Sequence, residues 1–162
     1  MDMALSEQAQ REAYVVDASG CKVGRLASRV AKLLMQGHRV FVINAEKAVI
    51  TGNKPAIMSR FHFLRSRKQL TSHKVIKVWY PTLPEGILRY AIIRMLPRKK
   101  AKGRDAVRRL RVFRGAKQIP GAKPLEIPDA KMEKPISRSR RVFRYMTLEE
   151  VSRELRGGRP LE

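Results

Sequence analysis

Gly20-Cys21-Lys22-Val23-Gly24-Arg25 stands where a β-type run gives way to a helical pattern, the setting in which glycines let backbone amides approach a phosphate. The spacing departs from both nucleotide-binding patterns. A Walker loop has four residues between its glycines and a Lys-Ser/Thr pair after the second; here three intervene and Arg25-Leu26 follows. The dinucleotide-binding G-x-G-x-x-G is absent as well. The ordinary reading is a glycine turn that opens a helix, its amides, Lys22 and Arg25 still suited to one backbone phosphate of RNA. Cys21 is the single cysteine, and His38, His62 and His73 each stand alone in basic surroundings, with no carboxylate close in sequence to orient them. A thiol nucleophile needs a base, and the base needs an orienter, so these residues read as structural. Asp17, Glu46, Asp105 and the C-terminal glutamates form no pair at a spacing that shares a proton. No other soft ligand accompanies Cys21. The sequence nominates no catalytic residue, no metal site and no cofactor.

The chemistry that the residue types do supply is attraction of a polyanion. From Pro97 to Lys117 the chain reads PRKKAKGRDAVRRLRVFRGAK, ten Lys or Arg against Asp105 alone, a local charge of +9. Such density either faces a polyanion or stands in solvent repelling itself. Ala106, Val107, Leu110, Val112 and Phe113 keep an apolar rhythm inside the run, so it reads as folded. At 100° per residue, Ala106, Val107 and Leu110 share one sector while Arg104, Arg108 and Arg111 share the opposite one.

The elements that position these charges follow from pattern. Tyr14 to Asp17 is a β-type run ended by Ala18-Ser19-Gly20. Val23, Leu26, Ala27, Val30, Leu33 and Leu34 recur at helical steps, and Gly37 sits where a left-handed cap belongs. Arg39 to Asn44 supplies a second strand with a near-continuous apolar run, completing a βαβ unit. Ala48 to Thr51 is a third strand candidate. A helix from Pro55 to about Arg67 follows, bearing Ile57, Phe61 and Leu64. The stretch from Lys68 to Pro84 is irregular and reads as a loop with a possible extended piece. Pro84-Glu85 opens a helix that Pro97 ends. The basic run gives a short helix from near Gly103, then a strand at Leu110 to Phe113. Four prolines between Gln118 and Pro135 suggest an extended arm. Ser137 to Arg144 is a second basic run, and Thr147-Leu148-Glu149-Glu150 is a capping box opening a last helix.

The totals narrow the partner. The 162 residues carry 36 Lys and Arg against 14 acids, a formal net charge of +22 with a pI near 11.2. At 43% hydrophobic residues the chain is not a disordered polycation. Nucleic acid is the expected partner, bound through counterion release and weakened by salt. A membrane surface would call for a long amphipathic helix or a lipidation signal, and neither is present. No stretch approaches the roughly 18 apolar residues of a membrane span, and the N-terminal residues lack a signal pattern. A cytoplasmic protein is expected. Aromatic residues are 6% of the chain; Phe61, Phe63, Trp79, Tyr80 and Phe113 fall mostly in apolar patterns and read as core, leaving RNA to be held by phosphates and shape.

Three ordered blocks carry a resemblance: YVVDASGCKVGRLAS at 14–28, VINAEKAVITGNK at 42–54, and MLPRKKAKGRDAVRRLRVFRG at 95–115. They are similar to the L-thirteen family of large-subunit ribosomal proteins, the third block being the most specific. The chain lacks the longer bacterial segment before Arg39 and adds a proline-rich arm and terminal helix, as in the archaeal and eukaryotic branch. The resemblance implies a three-layer α/β/α fold around a parallel four-stranded sheet, plus a basic, proline-rich C-terminal extension ending in a helix. Residues 1–120 are expected to form the domain, with 121–162 packed on or beside it. It also implies a structural role on large-subunit rRNA, in the large subunit beside other ribosomal proteins. No membrane, small-molecule substrate or homo-oligomer is implied. By motif match, RNA contact falls on Lys22, Arg25, Asn53 and Lys54, and on Arg98, Lys99, Lys100, Lys102, Gly103, Arg104, Arg108 and Arg109. Arg60, Arg65, Arg67 and Lys68 add a further basic face, and Arg138, Arg140, Arg141 and Arg144 are added from charge alone. Lysines act as point charges, arginines fork onto two phosphate oxygens or stack, and Gly103 lets backbone come close. Two other readings stand beside this one: an RNA-processing or RNA-modifying enzyme on an α/β sheet, and a DNA-compacting protein.

Overall fold

Glycines and prolines set the bounds of the first elements. The computed structural model describes residues 12–70, 75–77, 79–132 and 144–157. Strand β1 (Ala13–Asp17) turns at Gly20, whose φ is +66°, into helix α1 (Val23–Met35). At the far end Gly37 takes φ +104°. Its N–H donates to the Leu34 carbonyl at 3.2 Å and the His38 N–H donates to that of Leu33 at 3.3 Å, a paired closure of the last turn that favours a residue without Cβ. Strand β2 (Arg39–Ile43) then runs parallel to β1, with Tyr14 opposite Val40 and Val16 opposite Val42. The βαβ reading holds.

After a 3₁₀ turn at Ala45–Lys47 come β3 (Val49–Thr51) and α2 (Lys54–Ser66). The irregular stretch that follows contains a hairpin, β4 (Lys68–Leu70) antiparallel to β5 (Val75–Lys77). Helix α3 (Pro84–Arg94) opens on its proline as expected, and α4 (Ala101–Arg108) starts two residues before Gly103, leading directly to β6 (Leu110–Val112). The C-terminal part adds β7 (Lys123–Pro124), a 3₁₀ turn at Pro128–Ala130, β8 (Tyr145–Thr147) and α5 (Leu148–Leu155).

The main sheet has the order β6-β2-β1-β7 and is parallel throughout, with helices on both sides. Its fourth strand comes from the proline-rich segment. Pro124 is tolerated there because β7 is an edge strand, whose N–H groups need no partner on one side; the Leu125 N–H donates to the Val15 carbonyl at 2.8 Å. β3 stands outside this sheet and pairs antiparallel with β8, Val49 opposite Thr147. Val16, Val40, Val42 and Leu110 from the sheet are fully buried with Leu26, Val30 and Leu34 of α1 and Leu88 and Ile92 of α3. Leu148 and Val151 of α5 are as completely buried and belong to the same cluster. The capping box forms: the Glu150 N–H donates to Thr147 Oγ1 at 3.2 Å and the Thr147 N–H to Glu150 Oε2 at 3.0 Å.

Candidate nucleic-acid interface

The basic segment is held by its own backbone before any partner is considered. Pro97 ends the α3 region, and its carbonyl accepts the Lys100 N–H at 3.0 Å, folding the chain into α4. Ala106 and Leu110 are fully buried and Val107 partly so, while Arg98, Lys99, Lys100, Lys102, Arg104, Arg108 and Arg111 are exposed. One side packs and the other presents cations, as the periodicity requires. Asp105 reaches Arg108 at 3.4 Å and leaves most of the positive charge uncompensated.

Gly103 and Arg109 have internal work. Gly103 is buried, and a Cβ built there would lie 2.1 Å from the Pro97 carbonyl oxygen. The close approach that this glycine permits within the chain is to the chain's own backbone. Arg109 is half-buried, and its Nη2 donates to the Leu34 carbonyl at 2.9 Å, a second donor beside the Gly37 N–H at a helix end. Arg65 closes the end of α5, its Nη1 donating to the Leu155 carbonyl at 2.9 Å. Lys54 pairs with Glu154 at 2.5 Å, so the TGNK turn is tied to α5, and the Gly52 N–H donates to the Arg144 carbonyl at 2.8 Å.

The glycine turn after β1 is ordered by Asp17. Its Oδ1 accepts from the Ser19 N–H at 2.9 Å, the Ser19 hydroxyl at 2.8 Å and the Asn44 amide at 2.9 Å. Partial burial pushes the Asp17 carboxyl up, but the bonds from Asn44 and Ser19 outweigh it and hold the group below its ordinary value. Arg25 donates to the Asp129 carbonyl at 3.3 Å and Arg29 pairs with the Asp129 carboxylate, locking the second 3₁₀ turn against α1. The Cys21 thiol is buried and donates to the Asp17 carbonyl at 3.6 Å. Burial pushes its pKa up and the Asp17 charge adds to that, the opposite of what activates a thiol. Among the described residues, no three His, Cys, Asp or Glu gather where they could hold a metal, and no helix is long and apolar enough to cross a membrane.

The expected cations do not all meet. Lys22 and Arg60 line one groove, together with Arg94, which the sequence reading passed over. Arg108 and Arg109 line another depression with Arg39 and Lys123, two cations that only the sheet order brings there. Exposed Asn53 starts α2 without a side-chain cap. Exposed Arg67 lies over the Phe63 ring, 5.8 Å from its centroid, and Lys68 opens β4. Arg138, Arg140 and Arg141 lie outside the described residues, as does His73. Two aromatic residues read as core are not: Phe63 is 64% and Trp79 75% exposed.

An α/β scaffold whose packed elements present rows of exposed cations defines a class, that of proteins built to hold positive charge toward a polyanion. The sequence model of Ribosomal protein L13 matches residues 11–119. The large ribosomal subunit protein uL13 of Archaeoglobus fulgidus is 44% identical over 142 residues, covering 87% of this chain and 86% of its own. That of Thermoplasma acidophilum is 41% identical over 145 residues (88% and 98%). That of Saccharolobus solfataricus is 33% identical over 152 residues (93% and 97%). The chain belongs to the ribosomal protein L13 family, and to its archaeal-type branch.

Proposed function

We propose that this chain is a structural constituent of the large ribosomal subunit, binding large-subunit rRNA and supporting subunit assembly and translation without a catalytic step. Its place is then the cytoplasmic ribosome, among other large-subunit proteins. The observation that carries the reading is the segment from Arg98 to Arg108, whose buried Ala106 fixes the direction of a row of exposed cations in a chain of this family. Phosphates are the natural partners of that row, lysines meeting them as point charges and arginines as forks. Arg98, Lys99, Lys100, Lys102, Arg104 and Arg108 make the main contact, with Lys22, Arg25, Asn53, Arg60 and Arg67 at further phosphates or bases. The enzyme reading loses its ground, since Cys21 is buried with its thiol pKa raised.

The test is fractionation of ribosomal subunits on a sucrose gradient after a moderate salt wash. The protein is expected to co-sediment with the large subunit and stay there. Its absence from washed large subunits sinks the reading.

A further inference from the structure

Beyond its charged surfaces the molecule has a groove of about 700 Å³ between the start of α1, β3, α2 and α3, within the roughly 300–1,000 Å³ range of small-molecule sites. Ile57, Phe61, Ile87 and Ala91 supply apolar lining, and Lys22, Arg60 and Arg94 are its cations. No acid lines it among the described residues. Arg60 and Arg94 make no ion pair with a carboxylate there either. Arg29, Arg108, Arg114 and Arg153 do pair with carboxylates elsewhere on the molecule.

The aromatic side of the groove is built. Tyr80 stands edge-on between Phe61 and Tyr90, with ring centroids 5.7 and 4.9 Å apart, and the Arg94 guanidinium lies 5.6 Å from the centre of the Tyr90 ring. Burial holds the Tyr80 phenol above its ordinary value, against the opposing pull of Arg60 and Arg94. An occupant must therefore be flat and apolar at one end and anionic at the other. A base pair locked in a duplex offers no free face, and a neutral apolar peptide leaves the cations unmatched.

We propose that the groove receives one unpaired nucleotide of the bound RNA, its base against the partly exposed Tyr80 and Tyr90, with buried Phe61 backing them, and its phosphate at Arg60 and Arg94. This rests on the RNA-binding reading and deepens it. Unpaired bases are the usual targets of aromatic and guanidinium planes in RNA recognition, and Arg is the residue suited to hold a phosphate with two donors. The proposal gives Tyr80, read from sequence as core, and its neighbour Tyr90 a ligand to face.

The experiment compares two RNA hairpins with the same number of phosphates, one carrying a bulged purine and the other an abasic residue at that position. Binding of the full chain is titrated at fixed salt, with adenosine monophosphate as a third ligand. The bulged purine is expected to bind about tenfold tighter than the abasic form, within what stacking of a base on an aromatic ring contributes. Arg60→Gln, Arg94→Gln and Tyr80→Leu should each shrink that ratio toward one. Replacing Lys99, Lys100 and Lys102 with Ala should weaken both RNAs and keep the ratio. Arg60 is exposed, so its variant keeps the test valid if Tyr80→Leu misfolds. Equal binding of the two hairpins overturns the inference alone, as does a ratio that survives all three groove variants. Mononucleotide binding as tight as the bulged RNA overturns the RNA source, and failure of both hairpins to bind overturns the RNA reading with it.

Discussion

Gly103 shows how a single missing Cβ shapes a charged surface. It sits within α4, where glycine is about 1 kcal/mol worse than alanine, yet alanine there would place its Cβ 2.1 Å from the Pro97 oxygen and 2.5 Å from the Pro97 carbonyl carbon. Backbone so close to a proline has little room to give. Forcing atoms into a packed site typically costs about 1–3 kcal/mol, so the clash outweighs the propensity gain. Gly103→Ala is expected to lower stability by up to about 2 kcal/mol in urea denaturation, the clash less the propensity gain; a raised midpoint would refute the packing argument. Asp17 offers a second residue-scale prediction. Its folded pKa is held down, so it contributes stability above its unfolded pKa of about 3.9 and loses that contribution as pH falls through the folded value. Asp17→Asn keeps an acceptor oxygen but has no charge to titrate. The melting-temperature gap between wild type and Asp17→Asn should narrow from pH 6 to pH 3, and a constant gap counts against the bonded carboxylate.

At the scale of elements, α4 and β6 divide their work between stability and binding. Leu110 is fully buried opposite Val40 of β2, so Leu110→Ala should cost about 2–5 kcal/mol by denaturant titration while leaving the exposed cations unaltered in type. Lys99, Lys100 and Lys102 are exposed, so their triple alanine variant should melt like wild type and weaken RNA binding. Its slope of log affinity against log salt should flatten by about 2–3, from roughly 0.7–0.9 per released phosphate contact. An unchanged slope removes those lysines from the interface. Elements with local signals were readable from residues alone: the α1 stripe with Gly37, the proline that opens α3, the capping box of α5. What stayed hidden depends on partners distant in sequence. β7 is two residues long and contains a proline, and only the neighbouring edge of β1 makes it a strand. Likewise nothing local to Arg65 or Arg109 announces that each closes the end of another helix. Of the interface, the cation row was legible because charge and periodicity are local; the placing of Arg60 and Arg94, from two helices, along one groove was not.

For the whole molecule, we propose that residues 121–162 cover the domain formed by 1–120 and share its core rather than trailing from it. β7 extends the main sheet beside β1, β8 pairs with β3, and α5 packs against α2 and α3. Met146, Leu148, Val151 and Leu155 are each less than 8% exposed. Burying such side chains contributes up to about 1.5–3 kcal/mol apiece, and four together rival the roughly 5–15 kcal/mol that holds a whole domain folded. The full chain should therefore unfold in one transition that fluorescence and circular dichroism report at the same midpoint. A chain ending at residue 143 lacks all four side chains, the Glu154 partner of Lys54 and the Leu155 carbonyl that Arg65 satisfies. It should lose that cooperative transition or melt well below the full chain, and its exposed α2 and α3 faces should bind a hydrophobic dye. A truncated chain that melts within a few degrees of the full one would show the extension to be an appendage. In that event the ion pair and the helix-end bond to α5 would have to be surface contacts of little weight, as isolated exposed pairs usually are.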